Sequence, residues 1–102
     1  MLAVGRALVS LGLREVGWDL VGVDDGWQVA RNASGYIIED PARFPSGFGA
    51  LAAGLHALGL RAGLYTSQSS LTCQDRPGSY TFEAQDAASY CAYGMDYLKV
   101  SD

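Results

Sequence analysis

An alternation of helix-like and strand-like segments runs along the chain and constrains its fold more than any other feature. The helix-like segments carry apolar residues three or four positions apart, and a glycine ends each of them: 2–16, 48–58 and 84–91. The strand-like segments are short and nearly continuous in apolar residues: 19–24, 60–66 and 95–100. Helices alternating with such strands are typical of parallel βαβ units, in which both faces of the sheet are covered. The sequence therefore predicts an α/β fold with the order αβαβαβ.

Apolar stripes indicate one face of each predicted helix, because residues three and four positions apart lie on the same side of a helix. The stripes are Ala3, Ala7 and Leu11; Phe48, Leu51, Leu55 and Leu58; and Ala84, Ala87, Ala88 and Cys91. The stretches 25–47 and 67–80 contain many turn-forming residues, such as Gly, Ser, Asp and Pro. Both stretches are therefore predicted to be loops.

Length, composition and charge exclude several classes of partner. At 102 residues, with 49% hydrophobic and 18% charged residues, the chain is predicted to be at most one small globular domain. The net charge is -4 and no cluster of Lys and Arg is present, so no nucleic-acid partner is expected. No apolar run approaches the length of a membrane span. Arg6, Arg14 and Glu15 interrupt the N-terminal apolar stretch, which we interpret as an amphipathic helix rather than a signal peptide.

Polar side chains are predicted at the carboxyl ends of all three strands. Asp24 and Asp25 end the first strand, Tyr65 lies near the end of the second, and Lys99 lies near the end of the third. Ligands of parallel α/β folds bind outside this edge of the sheet. Each residue alone is more readily explained by capping, packing or exposure to water. Their coincidence on one edge favours a shared site, for which the residues indicate neither a metal nor a cofactor.

Two cysteines, Cys73 and Cys91, are too few for a disulfide framework. From the residues alone, they could pair with each other, remain reduced or form bonds outside this chain. Cys91 falls on a helical apolar stripe, which favours a small buried residue.

Four strings extend over essentially the whole chain and carry a family resemblance: "GVDDGW", "DPARFPSGFGALAAGLHALGLRAGLYT", "TCQDRPGSY" and "YGMDYLKV". In this order and spacing they resemble the family 27 glycoside hydrolases, the α-galactosidases and α-N-acetylgalactosaminidases. The resemblance implies a (β/α)₈ TIM barrel followed by a β-sandwich domain. Residues 1–102 would then be a partial barrel, a fragment of the catalytic domain that runs roughly from the first helix to the fourth strand.

The resemblance also implies substrate-binding roles for particular side chains. Asp24 and Asp25 match the paired aspartates that hold the hydroxyls of the sugar, and Tyr65 and Lys99 match further residues of the sugar site. Cys73 matches a cysteine that lines the galactose pocket, usually in a disulfide with a cysteine just beyond the fourth strand. Ionised carboxylates accept charge-assisted hydrogen bonds from sugar hydroxyls, and a nearby lysine offsets the repulsion between two of them.

The end of the chain departs from the family pattern. The nucleophilic aspartate of the family lies two residues after the lysine, a position that Ser101 occupies here, whereas Asp102 is one residue late. A shift of one residue turns a side chain to the opposite face of a strand. Either the last residues belong to a truncated or mis-spliced gene model, which we favour, or the nucleophile is lost. Gly26 is a second departure, because the family usually has a cysteine there.

The function implied by the resemblance is that of a retaining α-galactosidase, which removes terminal α-linked galactose from an oligosaccharide or glycoconjugate. The acid/base carboxylate would lie outside this chain, so the chain alone is expected to be inactive. The alternatives are a non-catalytic sugar-binding half-barrel and, more weakly, an unrelated open α/β domain. The resemblance is compatible with a homodimer of the full-length form, and it alone suggests a secreted or lysosomal/vacuolar location.

Overall fold

Three parallel strands form the main sheet of the computed structural model, which describes residues 1–101. Its strands are β1 (Leu20–Val23), β4 (Arg61–Ser67) and β5 (Tyr97–Ser101), in the order β1-β4-β5. The helices are α1 (Leu2–Ser10), α2 (Gly47–Ala57) and α3 (Glu83–Tyr93), and a short 3₁₀ helix spans Arg14–Val16. The predicted α/β class and the alternation of helices with parallel strands are therefore confirmed.

The predicted helix ends agree with the structure at two of the three glycines. Gly94 follows α3 with a φ of 88°, and Gly59 follows the last turn after α2 with a φ of 75°. Positive φ is the left-handed conformation that glycine adopts without steric cost and that commonly ends helices. The first helix ends earlier than predicted, at Ser10, and Gly17 closes the separate 3₁₀ helix with a φ of 101°.

The predicted loop 25–47 contains a β-hairpin that the sequence pattern did not indicate. Strands β2 (Gln28–Arg31) and β3 (Ile37–Glu39) pair in antiparallel fashion as a separate two-stranded sheet. The Asn32 side chain stabilises the connecting turn by accepting hydrogen bonds from the backbone N–H groups of Ser34 and Tyr36, at 3.0 Å each. Asparagine favours such turns because its side chain can bond to nearby backbone donors.

Two adjoining groups of buried residues form the core between the sheet and the helices. One is Val23, Trp27, Ile37, Phe48, Leu64 and Tyr90, and the other is Val21, Ala52, Leu55, Leu60 and Ala62. Helix α2 contributes to both groups, and its predicted stripe is confirmed. Phe48 and Leu55 are buried, while Leu51 and Leu58 are partly buried and pack against them.

The apolar stripes of the other two helices do not form their buried faces. Ala3, Ala7 and Leu11 of the first helical segment are exposed, and so are Ala84, Ala87, Ala88 and Cys91 of α3. Helix α3 instead buries Asp86 and Tyr90. A tyrosine ring removes more apolar surface from water than an alanine methyl group. The Asp86 carboxylate is neutralised by a salt bridge to Arg31, which makes its burial tolerable.

The expectation that both faces of every strand are covered is met by β4 and not by β5. Six of the seven residues of β4 are buried, and β4 is the central strand, paired on both edges. In β5, Tyr97, Leu98 and Val100 are exposed. Within residues 1–101, none of the helices combines the length and the apolar character needed to cross a membrane.

The amino ends of the strands carry polar side-chain contacts that join neighbouring elements. Arg61 at the start of β4 contacts Asp19 at 2.9 Å, and His56 of α2 contacts Asp96 at 2.6 Å. Asp96 also accepts a hydrogen bond from the backbone N–H of Ala62, which, with His56, holds the pKa of Asp96 below its usual range. These contacts tie the chain together at the edge opposite the predicted site.

Candidate functional site

The carboxyl ends of β1, β4 and β5 bring three of the predicted site residues together. Asp24 follows β1 directly, and Tyr65 and Lys99 are paired neighbours in the parallel register of β4 and β5. The Lys99 ammonium donates a hydrogen bond to Asp24 Oδ2 at 2.9 Å. The same nitrogen lies 5.6 Å from the centroid of the Tyr65 ring, within the range of a cation–π interaction. Tyr65 is buried, whereas the Asp24 and Lys99 side chains are exposed.

The contact between Asp24 and Lys99 favours the charged form of both groups. The hydrogen bond from Lys99, followed by one from the backbone N–H of Asp25 at 2.7 Å, lowers the pKa of Asp24. The hydrogen bond to Asp24 raises the pKa of Lys99. Because hydrogen bonds to an ionised form stabilise that form, the site presents an ionised carboxylate even at mildly acidic pH.

We expect Lys99→Met to raise the pKa of Asp24. The substitution removes the largest contribution that lowers this pKa, so the carboxylate becomes protonated at a higher pH than in the unmodified protein. A carbon-detected NMR titration of the Asp24 carboxyl measures the change directly. Arg61→Met is the matched control, since Arg61 pairs with Asp19 at the opposite edge of the sheet. An Asp24 titration that is the same in all three proteins would contradict the assigned contact.

The carboxylate of Asp25 faces a different element from that of Asp24. Asp25 Oδ1 accepts the N–H of Gly26 at 2.7 Å, and Oδ2 accepts the N–H of Gln74 at 3.0 Å. Gln74 belongs to the long connection between β4 and α3, and we name residues 68–80 of this connection the arm. Cys73 precedes Gln74 in the arm and is exposed at this end of the sheet. The five predicted substrate-binding residues therefore divide into a cluster around Lys99 and a contact between Asp25 and the arm.

Arg43 and Gln74 hold the turn after β1, and neither was singled out from the sequence. The Arg43 guanidinium donates to the carbonyl of Gly26 at 3.1 Å, next to the paired aspartates. Gly26 itself has a φ of 99°, which favours glycine at this turn. Arg43 lies in the string "DPARFPSG", so its position in that motif was an available signal. The contact of Gln74 uses only its backbone, and no side-chain pattern could have indicated it.

Trp27 holds the same turn from the buried side. Its ring is 1% exposed, and its indole N–H donates to the carbonyl of Tyr65 at 2.8 Å. This burial makes Trp27 a packing residue rather than a sugar-facing one. The indole thereby connects the end of β1 to the end of β4, the two strands that carry Asp24 and Tyr65.

The remaining residues singled out from the sequence are Ser101, Asp102 and the two cysteines. Ser101 pairs with Ser67 at the end of the sheet and lies on the same face of β5 as Lys99, because side chains alternate along a strand. Asp102 lies outside the described residues. Cys73 and Cys91 are both exposed and are not bonded to each other, so the expected burial of Cys91 is wrong.

The chemistry available at this edge of the sheet is recognition of hydroxyl groups. Two neighbouring carboxylates offer acceptors, and one ammonium, which lies beside a tyrosine ring, offers donors. Sugar hydroxyls both donate and accept hydrogen bonds, so they complement a set of carboxylates and an ammonium. Within residues 1–101, no group of three or more His, Cys, Asp and Glu side chains is arranged to hold a metal ion.

Comparison with known proteins places the chain in a family. A family model described as "Alpha galactosidase A" matches residues 1–102. A probable alpha-galactosidase of Dictyostelium discoideum is 40% identical over 99 residues, which cover 97% of this chain and 26% of the relative. The solved structure of an alfa-galactosidase from Saccharomyces cerevisiae with raffinose superposes with a TM-score of 0.97 and 33% identity. That match covers 99% of this chain and 22% of the yeast chain.

A second solved structure gives the same result. Alpha-galactosidase I from Mortierella vinacea has a TM-score of 0.95 and 39% identity, over 97% of this chain and 25% of its own. The chain thus spans about a quarter of the length of the curated relatives that it matches. Since the family model matches all 102 residues, the chain belongs to the alpha galactosidase A family.

Proposed function

We propose that residues 1–102 form part of the catalytic (β/α)₈ barrel of a retaining α-galactosidase, which removes terminal α-linked galactose from an oligosaccharide or glycoconjugate. In this proposal Asp24, Asp25 and Lys99 bind the hydroxyls of the galactosyl ring, and Tyr65 and Cys73 line the same pocket. The parallel strands with intervening helices and the family membership support the barrel. The observation that carries the sugar site is the hydrogen bond between Lys99 and Asp24, beside Asp25, at the carboxyl edge of the sheet.

The proposed role of this segment in the reaction is to hold the sugar in place. A retaining glycosidase uses one carboxylate as nucleophile and another as acid and then base. Asp24 accepts a hydrogen bond from Lys99, and Asp25 accepts hydrogen bonds from backbone donors. Such contacts are expected of carboxylates that bind the sugar rather than attack its anomeric carbon. Their fixed orientation restricts the ring to one position, which lowers the entropic cost of reaching the transition state.

In the proposed barrel, the nucleophile would lie on the face of β5 that carries Lys99. Ser101 occupies that face, and a serine hydroxyl without an adjacent base is a weak nucleophile. We therefore assign sugar binding to this segment and do not assign covalent attack to Ser101.

The proposal is tested by assaying the full-length gene product that carries this chain with p-nitrophenyl α-galactoside. We expect galactose release with retention of the α configuration, observed by proton NMR of the first product formed, and no cleavage of the β-galactoside control. Galactose binding without cleavage would favour the non-catalytic sugar-binding alternative. Absence of both binding and cleavage would overturn the proposed function.

A further inference from the structure

The base of the arm contains a buried polar network centred on Asp86 of α3. Asp86 is 1% exposed, and its carboxylate accepts two hydrogen bonds from the Arg31 guanidinium, at 2.7 Å for each oxygen. The Ser79 hydroxyl donates to Asp86 Oδ2 at 2.7 Å and lies 2.7 Å from the Thr66 hydroxyl of β4. Ser79 and Thr66 are buried as well, so each hydroxyl needs a partner inside the protein.

The network reaches the arm at two consecutive residues. Asp86 holds Ser79 through its hydroxyl, and Arg31 donates to the carbonyl of Gly78 at 2.8 Å. A side chain at position 78 would collide with the carbonyl of Ser69, so the beginning and the end of the arm approach closely at this point. The carboxylate of Asp86 thereby fixes one end of the arm, directly and through Arg31.

The outer part of the arm makes the contact with the candidate site. The Gln74 N–H donates to Asp25 Oδ2 at 3.0 Å, and the Arg76 guanidinium donates to the carbonyl of Gln28 at 3.0 Å. Asp25 is half-buried, and its other oxygen is held by its own turn through the N–H of Gly26. The orientation of the Asp25 carboxylate therefore depends on where the arm places Gln74.

We infer that Asp86 is a positioning residue for sugar recognition: with Ser79 and Arg31 it fixes the arm, so that Gln74 holds Asp25 in the orientation that binds the substrate. This inference rests on the proposed function. A buried ion pair is a weak source of stability compared with apolar residues of the same volume. The bidentate Arg31–Asp86 pair instead gives the arm a defined geometry, because its planar fork accepts little angular variation.

Ser79→Ala tests the inference, since it removes the direct link from Asp86 to the arm and leaves the Arg31–Asp86 pair and the contact of Arg31 with Gly78 intact. Loss of one hydrogen bond to a charged acceptor corresponds to about a tenfold change in an equilibrium constant or more. We therefore expect the galactose dissociation constant of the full-length gene product, measured by calorimetry, to rise about tenfold. The Gln74 amide should also exchange its hydrogen faster, while the amides of β4 and α3 exchange at unchanged rates. Ser70→Ala is the control, because Ser70 is an exposed serine of the same arm.

The outcomes separate this inference from the proposed function. Unmodified protein that does not bind galactose overturns the proposed function and the inference with it. If the unmodified protein binds galactose and Ser79→Ala binds it equally well, only the inference is wrong. Faster exchange throughout α3 and β4 would also contradict it, since Ser79 would then stabilise the whole fold rather than position the arm. Asp86→Asn is a second variant, in which a larger rise of the dissociation constant is expected in the folded protein.

Discussion

In the full-length gene product of the proposed function, replacing Asp25 with asparagine is expected to lower kcat/KM for an aryl α-galactoside by roughly 10- to 100-fold. A hydrogen bond to a charged group contributes about 1.5–3 kcal/mol, and the neutral amide loses that charge. The amide also has one oxygen where the carboxylate has two. Either Gly26 or Gln74 would then face an NH₂ group in place of an acceptor. The effect should therefore combine weaker sugar binding with a looser contact to the arm.

The matched control for this change is Asp75→Asn. Asp75 is an exposed carboxylate of the arm with a φ of 58°, a conformation that asparagine tolerates well. Asp75→Asn should leave kcat/KM within experimental error, because Asp75 is not one of the proposed sugar-binding residues. Both substitutions remove one negative charge, so a difference between them is not an effect of net charge. A loss of thermal stability in Asp25→Asn without a change in kcat/KM would mean that Asp25 only holds the turn. Measurement of kcat/KM together with the melting temperature distinguishes the two roles.

Trp27→Ala is expected to destabilise the protein by about 3–5 kcal/mol, the usual range for removing a large buried aromatic side chain. The Trp27 ring packs against Phe48 and Tyr90, with centroid distances of 5.1 and 6.0 Å. Its removal leaves a cavity between α2 and α3 and also removes the hydrogen-bond donor of the Tyr65 carbonyl. Chemical denaturation followed by circular dichroism measures the change.

Trp18→Ala provides the control, since the chain has a second tryptophan in a contrasting environment. Trp18 is 68% exposed, and exposed substitutions usually change stability by less than about 0.5 kcal/mol. Equal destabilisation by the two substitutions would contradict the assigned burial of Trp27. Trp27→Phe should lie between the two, because it keeps most of the ring and loses the indole N–H.

The sequence was sufficient where local pattern and tertiary environment agree. The stripe of α2 is buried as its spacing predicts, and β4 is an apolar strand covered on both faces. Asp24, Tyr65 and Lys99 were placed together because the carboxyl ends of parallel strands meet at one edge of a sheet. Each of these predictions depends on a single element or on a general property of α/β topology.

The sequence was insufficient where distant residues decide the outcome. The hairpin of β2 and β3 was missed because the buried residue of β2 is Gln28, a polar side chain, which leaves Ile37 of β3 as the one buried apolar residue of the hairpin. The buried face of α3 was missed because Asp86 is acceptable inside only when Arg31, 55 residues away, neutralises it. The contact of Gln74 with Asp25 uses a backbone donor and depends on the shape of the arm. The contacts of Asp86 and Gln74 therefore have no local signal.

The tight turn at Gly26 couples two positions far apart in the chain. An added Cβ at position 26 would lie 2.7 Å from Gln74 Oε1 and 3.3 Å from the Arg43 guanidinium. A larger residue at 26 and a glutamine side chain at 74 therefore compete for the same space. Relatives with a cysteine in place of Gly26 should carry a shorter or differently directed side chain at position 74, so the two positions are expected to co-evolve.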